Sequence, residues 1–537
     1  MSTLTGTRGL VRLILRRDRF LLPLWVLLLA LLPVYQAAAI DQFYSTPAQL
    51  RDLYGTVMGT PGLLAMLGRV FGATLGALTV WRAGLVFTMV GLASLLTVIR
   101  HTRTDEEAGR RELLGATVVG RNAPLTAALL VTFAADLLLG AVLAAGMVGL
   151  GLPAAGSVAY GLSMAAAGWV FATVGALAAQ LTQGAGAARG LGLGALGMAY
   201  LLRAAGDTAG SDSGLGWLSW LSPIGWTQQT RSYGDAGERW WVLALAAAFV
   251  IVLAAAAYAL LARRDVGAGV LPARLGPATA APALRSPLAL AWRLQRATLL
   301  AWTAGLAVMG AVIGSVADSV NDMAAESAQL KDLLERLGGE KALSDAYIAG
   351  VMVIFAVAAA AYAIQATLRL RSEEEGLRAE LVLATAASRR RWAASHLLFG
   401  LLGPAVALLA AGVAEGFVYG LVGGDVGREM PRVLAGALVQ LPAVLVLSGI
   451  AMALFGLLPR LTAVTWAALA VSAFLALFGP LLRLSQWLLD VAPFSHIPRV
   501  PGADVAATPL AWLLLIAAAL CTAGLAGFRR RDLVSTA

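Results

Sequence analysis

Twelve long apolar segments recur along the sequence, and they constrain the fold more than any other feature. A helix needs roughly 20 apolar residues to span the hydrocarbon core of a bilayer. The predicted spans are residues 20–40, 80–100, 124–148, 157–181, 188–205, 240–262, 297–317, 347–369, 394–422, 432–457, 462–482 and 508–528. Only 13% of the residues are charged, about half the share of a typical soluble domain. The sequence therefore predicts an all-α integral membrane protein of about twelve transmembrane helices.

The distribution of positive charge predicts how the spans are oriented. Cytoplasmic loops of membrane proteins carry an excess of lysine and arginine. If the N-terminus is cytoplasmic, most of the 40 such residues fall inside, including those of 8–19, 100–121 and 369–391. An even number of spans then places both termini in the cytoplasm. The basic residues sit at the ends of apolar segments, so we do not expect the net charge of +10 to indicate nucleic-acid binding.

The chain is internally duplicated. Several short stretches of the first half recur in the second half in the same order; residues 263–265, for example, match residues 530–532. Each copy has six spans, so both copies enter the membrane in the same direction and form a parallel repeat. The predicted parts are a first six-helix half over residues 1–265, a cytoplasmic linker over residues 266–290 and a second six-helix half over residues 291–537.

An acidic loop follows the second span of each half. The first copy reads TDEEAGRRELLGATVVGR over residues 104–121, and the second reads SEEEGLRAELVLATAASR over residues 372–389, with eight of eighteen positions identical. The candidate site residues are Glu106, Glu107, Arg110 and Glu112 with their counterparts Glu374, Glu375, Arg378 and Glu380. A spacing of four predicts that Glu106 pairs with Arg110, and Glu374 with Arg378, in a short helix near the membrane surface. The simpler interpretation is a set of solvated ion pairs of little energetic value.

The pattern E-E-x-G-R-x-E-L-x-x-A-T between the second and third spans resembles the coupling-helix region of ABC-2-type exporter permeases. The fused twelve-span arrangement is similar to that of actinobacterial permeases of polyketide-antibiotic and multidrug exporters. The resemblance covers essentially the whole chain, including Leu-Ser-Pro at 221–223 and the ending Phe-Arg-Arg-Arg-Asp-Leu. One departure affects the turn of the loop, because Gly109 aligns with Leu377 and Gly376 falls one position earlier.

The resemblance implies the permease subunit of an ATP-driven exporter in the bacterial plasma membrane, with membrane lipids around it. Each acidic loop would dock on a separate ABC ATPase subunit. Two such subunits would bind one permease and rock its two halves, moving lipophilic or amphipathic compounds such as antibiotics out of the cell. We expect ATP and Mg²⁺ on the partner subunits, and no catalytic residue, metal or cofactor site in this chain. Neither of its two lysines, Lys331 and Lys341, fits the pattern G-x-x-x-x-G-K-[ST] of a phosphate-binding loop.

Two carboxylates fall inside predicted spans, Asp136 in the third and Glu415 in the ninth. A carboxylate at that depth indicates either a transport pathway or a buried structural group, so both are candidates for an intramembrane pathway. Two other classes of protein stay open. An ion-coupled secondary transporter also suits a parallel repeat, and a membrane protein without transport activity is the third alternative.

Overall fold

The computed structural model describes residues 2–208, 214–271, 278–282, 284–315, 340–479, 485–498, 500 and 506–532. Within these ranges the regular structure is helical. The chain divides into two compact units, Met1–Gly276 and Pro277–Ala537. The predicted linker, 266–290, includes the boundary between the units, and part of it lies outside the described residues.

The first unit alternates long apolar helices with short helical segments. Its helices are α1 Thr7–Arg17, α2 Leu21–Phe43, α3 Pro47–Gly59, α4 Pro61–Leu67, α5 Leu75–Arg82, α6 Gly84–Ile99, α7 Asp105–Glu107, α8 Arg110–Gly115, α9 Ala123–Gly149, α10 Ala154–Leu181, α11 Ala185–Thr208, α12 Pro223–Gln229 and α13 Trp241–Arg263. A π-helical turn, Arg100–Thr104, joins α6 to α7. The acidic loop therefore continues directly from a spanning helix.

The second unit also alternates long apolar helices with short helical segments. Its helices are α14 Pro287–Gly314, α15 Glu340–Glu375, α16 Arg378–Leu383, α17 Arg389–Val422, α18 Val426–Leu438, α19 Leu441–Leu457, α20 Val464–Phe478, α21 Gln486–Leu489 and α22 Ala507–Arg530. Here the acidic residues form the last turn of a spanning helix, α15, which runs without a π-helical turn to Glu375. In each unit a short helix, α8 or α16, lies between the acidic residues and the next span.

Eleven segments of the described chain are helical, long enough and apolar enough to cross a membrane. They coincide with eleven of the predicted spans, and α18 and α19 together form one of them, Val426–Leu457. The remaining predicted span, 462–482, coincides with the shorter apolar helix α20. A helix satisfies its own backbone hydrogen bonds, which is why long apolar segments take this form in lipid. The expectation of an all-α membrane protein with about twelve spans is confirmed.

Glycine pairs allow some helices to cross at close range. In the first unit, a Cβ on Gly140 of α9 would meet the carbonyl of Gly161 in α10, and the reverse is also true. In the second unit, a Cβ on Gly456 of α19 would meet the carbonyl of Gly524 in α22. In lipid the hydrophobic effect does not drive helices together, so they associate through close packing. Small residues at such crossings let the two backbones approach closely enough for that packing.

Candidate functional site

The acidic loop of the first unit is bound to the end of the last helix of that unit. Glu106 is only 7% exposed. Arg264, which follows α13, donates from Nη1 to Glu106 Oε1 over 2.7 Å and from Nη2 to Oε2 over 2.8 Å. The backbone N–H of Gly267 adds a bond of 2.7 Å to Oε1. A two-pronged contact between guanidinium and carboxylate is strong and fixes orientation, so it holds the loop to the helix end.

The second unit has the same contact at the corresponding residues. Glu374 is 4% exposed. Arg531, which follows α22, donates from Nη1 to Glu374 Oε1 over 2.6 Å and from Nη2 to Oε2 over 2.7 Å. We call this paired arrangement the Glu–Arg clamp: Glu106 with Arg264 in the first unit, and Glu374 with Arg531 in the second. Two duplicated sequence motifs of opposite charge therefore bind each other in each unit.

A second duplicated arginine fixes the far end of each loop. Arg121 donates from Nη2 to the carbonyl of Arg264 over 2.6 Å, and from Nε to the carbonyl of Leu261 over 3.1 Å. Arg389 donates from Nη1 to the carbonyl of Arg531 over 2.7 Å. The last carbonyls of a helix lack partners within the helix and favour a nearby cation. Both ends of each loop are therefore attached to the end of the same helix.

The arginine that follows the acidic residues has a partner other than the predicted one. Arg110 Nη1 lies 2.7 Å from Asp105 Oδ1, so the prediction that Arg110 pairs with Glu106 is wrong. The second unit has the same arrangement, with Arg378 Nε 2.7 Å from Glu373 Oε2.

The reason for this change of partner is a left-handed residue between the acidic residues and the arginine. It is Gly109 in the first unit (φ 71°) and Leu377 in the second (φ 57°). This residue ends the helix that the spacing of four assumed. The loop keeps the same turn in both units despite the shifted glycine.

Glu107 and Glu375 have different roles in the two units. Glu107 Oε2 accepts a hydrogen bond of 2.9 Å from the backbone N–H of Ala185, in the first turn of α11, where a negative charge is favourable. Glu375 instead pairs with Arg371 on the preceding turn, with 2.8 Å between Arg371 Nε and Glu375 Oε1. These residues therefore brace the loop in unit-specific ways.

Further arginines surround Glu106. Arg103 Nη1 lies 3.0 Å and Arg111 Nη1 lies 3.3 Å from Glu106 Oε2. Burial lowers the pKa of Arg111, and the Glu106 carboxylate opposes that change. This cluster leaves Glu106 enclosed by positive charge and unavailable for direct contact with a partner protein.

The exposed part of each loop lies on the short helices α8 and α16. Leu113 is 76% exposed and its counterpart Leu381 is 75% exposed. The residues before them, Glu112 and Glu380, are also exposed. A single exposed leucine is ordinary on a protein surface. The same Glu-Leu pair is exposed at the same place in both units, and we call each pair a Glu-Leu surface.

The structure places both intramembrane carboxylates in packed regions away from the loops. Asp136 is fully buried, and its Oδ1 accepts a hydrogen bond of 2.7 Å from Ser94. A Cβ on Gly168 would collide with this carboxyl group. Glu415 is also fully buried, and neither of its carboxyl oxygens has a hydrogen-bond partner in the described part of the chain.

Sequence reasoning missed the basic half of each clamp. In sequence, the match between residues 263–265 and residues 530–532 indicates only duplication. The signal that could have found the contact is that two motifs of opposite charge are duplicated at nearly the same separation in both halves. That signal indicates a candidate pair of motifs, but duplication also preserves the separation of residues that do not touch, so the contact itself is seen only in the fold.

Two units of long apolar helices, each with an acidic loop clamped to its last helix, define a duplicated multi-pass membrane protein. Residues 284–529 match the family model described as "Multidrug efflux system permease Rv1217c, C-terminal domain". Over 532 residues the chain is 48% identical to the multidrug efflux system permease protein Rv1217c of Mycobacterium tuberculosis. The aligned region covers 99% of this chain and 96% of that relative. This chain therefore belongs to the Rv1217c family of efflux system permeases. The expected membership of an exporter permease family is confirmed.

Proposed function

We propose that this chain is the membrane-spanning subunit of an ABC exporter that moves lipophilic or amphipathic compounds out of the cell. Family membership supports the permease role, and the name of the mycobacterial relative supports a multidrug cargo. The observation that carries the ATPase partnership is the duplicated Glu-Leu surface on a clamped loop. A partner that binds one loop finds the same surface on the other, so two ATPase subunits bind one chain.

The Glu–Arg clamp gives the docked loop a mechanical connection to the membrane. A force on α8 passes through Glu106 to Arg264 at the end of α13. The equivalent path runs from α16 through Glu374 to Arg531. Bidentate, buried contacts resist being pulled apart, so a spanning helix moves with the loop. ATP and Mg²⁺ bind to the partner subunits in this scheme, and their closure supplies the force.

The same scheme fixes the orientation of the chain. ATP is cytoplasmic, so the loops and both termini face the cytoplasm of a bacterial cell, and the spans lie in its plasma membrane. The excess of arginine at these positions supports this orientation.

The experiment that tests the proposal is co-purification of this chain with a co-expressed ABC ATPase subunit from the same organism. We expect a complex with nucleotide-stimulated transport. A double variant, Leu113→Asp with Leu381→Asp, should lose the ATPase subunits while it unfolds at the wild-type temperature, because both leucines are exposed. Leu461→Asp, at an exposed apolar residue outside both acidic loops and both clamps, is the matched control and should keep the complex. A complete complex in the double variant, or no complex in the wild type, would refute the proposal.

The second candidate is an ion-coupled secondary transporter, and the burial of Asp136 and Glu415 is the observation that favours it. The two functions are separated by Asp136→Asn and Glu415→Gln. An ABC exporter should keep ATP-dependent transport in both variants. Transport that stops in either variant and follows an imposed ion gradient in the wild type would favour the secondary transporter.

A further inference from the structure

The second unit contains a cavity of about 540 Å³ beside an interruption in one of its spanning segments. Most of its lining is apolar and comes from α15, α20 and the segment after α21, including Val353, Leu475, Phe494 and Ile497. Small-molecule sites in proteins have volumes of this order and combine apolar walls with a few polar groups. The cavity therefore has the size and lining of a site for a drug-sized ligand.

The interruption separates α18 from α19 within the span Val426–Leu457. Pro442 is its physical cause, since a proline has no N–H to donate and its ring crowds the preceding turn. The backbone N–H of Gln440 bonds to the carbonyl of Ala437 over 3.3 Å, three residues back instead of four. The corresponding span of the first unit, α10, is a continuous helix, Ala154–Leu181. The two units thus have the same clamp but differ in this span, which is interrupted only in the second. In other transporters, interrupted spans mark substrate sites.

Gln440 supplies the polar group of the cavity. Gln440 lines the cavity and is 4% exposed, and its buried Oε1 has no hydrogen-bond partner in the described chain. The other polar side chains of the lining are engaged: Gln486 Nε2 donates to Asp490 over 2.9 Å, and Ser495 Oγ donates to the carbonyl of Leu489 over 2.7 Å. A buried acceptor without a donor is unfavourable, and a ligand N–H or O–H would remove that penalty.

We propose that this cavity is a cargo site, binding a largely apolar, drug-sized molecule whose N–H or O–H group donates to Gln440 Oε1. That the ligand is cargo rests on the proposed export function. The site itself rests on the cavity, the interrupted span and the unpaired amide oxygen.

The test is a binding measurement on the purified full chain in phosphatidylcholine nanodiscs, without nucleotide or ATPase. The probe is a bisbenzimide Hoechst dye, an apolar aromatic compound with N–H donors whose fluorescence rises in apolar surroundings. We expect saturable binding above that of empty nanodiscs. Gln440→Leu removes the acceptor and should weaken binding by about three- to ten-fold, the equivalent of one hydrogen bond. It should not lower the unfolding temperature, since it also removes an unpaired buried group.

A second variant fills the space directly. Gly350 lines the cavity, and a Cβ there would meet nothing within 4 Å, so Gly350→Leu should fold and should weaken binding by about tenfold or more. Gly194→Leu is the matched control: it also opens onto free space, lies in α11 of the first unit, and should bind the dye normally.

Two results would overturn the site: no saturable binding by the wild-type chain, or wild-type affinity in both Gln440→Leu and Gly350→Leu. Failure of the ATPase partnership would leave this measurement unchanged, because no ATPase is present. Conversely, if the chain forms the ATPase complex but the cavity variants bind the dye as the wild type does, the proposed function stands and the cargo site is refuted.

Discussion

Glu106 and Glu374 attach the acidic loops to the last helix of their own units. Removing one partner of a buried ion pair leaves the other charge without compensation, which costs about 3–5 kcal/mol. We expect Glu106→Ala and Glu374→Ala each to lower the free energy of unfolding by about 3 kcal/mol. Thermal unfolding of the purified chain in detergent measures this change. Glu112→Ala, at an exposed acidic residue of the same loop, should leave stability unaltered. Equal unfolding temperatures for all three variants would show that the clamp does not stabilise the chain.

Leu377 adopts a backbone conformation that suits glycine better. Its φ of 57° lies in the left-handed region, where a side chain costs about 1–2 kcal/mol. Because the side chain is exposed, Leu377→Gly should raise the free energy of unfolding by about 1 kcal/mol. The reciprocal change in the first unit, Gly109→Leu, should lower it by a similar amount. Chemical denaturation measures the free energy of unfolding of both variants. The prediction requires that the two changes in this free energy have opposite signs.

At this scale the sequence identifies the charged residues but not their partners. The spacing of Glu106 and Arg110 suggests a pair only if one helix runs through both. Gly109 and Leu377 break that helix, so the arginine reaches the acidic residue five positions back. A left-handed glycine can be guessed from sequence, but a left-handed leucine cannot, because its own propensity opposes that conformation.

Whole helices are easier to predict than their irregularities. Long apolar segments have one stable form in lipid, and that is why the predicted spans coincide with the helical segments. The sequence does not predict the interruption at Gln440, because residues 432–457 are as apolar as a continuous span. Pro442 was the available signal, although proline within a spanning helix often bends it without opening a cavity.

The glycine crossings make a prediction about helix packing. A larger residue at Gly140 or Gly456 would push a side chain into the carbonyl of the facing helix. Overpacking of this kind costs about 1–3 kcal/mol, so Gly140→Leu and Gly456→Leu should lower the unfolding temperature. Gly194→Leu adds the same side chain where nothing lies within 4 Å and should not. The three variants are compared by thermal unfolding in one lipid composition. If Gly194→Leu lowers the unfolding temperature as much as Gly140→Leu and Gly456→Leu do, the effect comes from replacing any helix glycine and not from the close crossings.

The duplication predicts the composition of the whole complex. Under the proposed function each unit binds one ATPase subunit through its own Glu-Leu surface, so Leu113→Asp alone should leave one subunit per chain instead of two. Leu381→Asp alone should give the same result. Native mass spectrometry of the purified complex counts the subunits directly. Loss of both subunits from either single variant would show that the two ATPase subunits bind only as a pair.

The duplication itself is readable from the sequence, since its matches are collinear. The structural role of the duplicated residues cannot be read from the sequence, because a repeat shows common origin without showing which of the repeated residues contact each other. The contacts between Arg264 and Glu106 and between Arg531 and Glu374 join residues far apart in the chain. Only the fold brings them together.

The clamp closes within each unit, and this has a practical consequence for work on the molecule. Glu106 and Arg264 both precede the linker, whereas Glu374 and Arg531 both follow it. A polypeptide cut within residues 278–282 therefore leaves each fragment with a complete clamp of its own. Two separately expressed fragments could then carry different isotopes or fluorophores, so that spectroscopic signals from the two equivalent loops could be told apart.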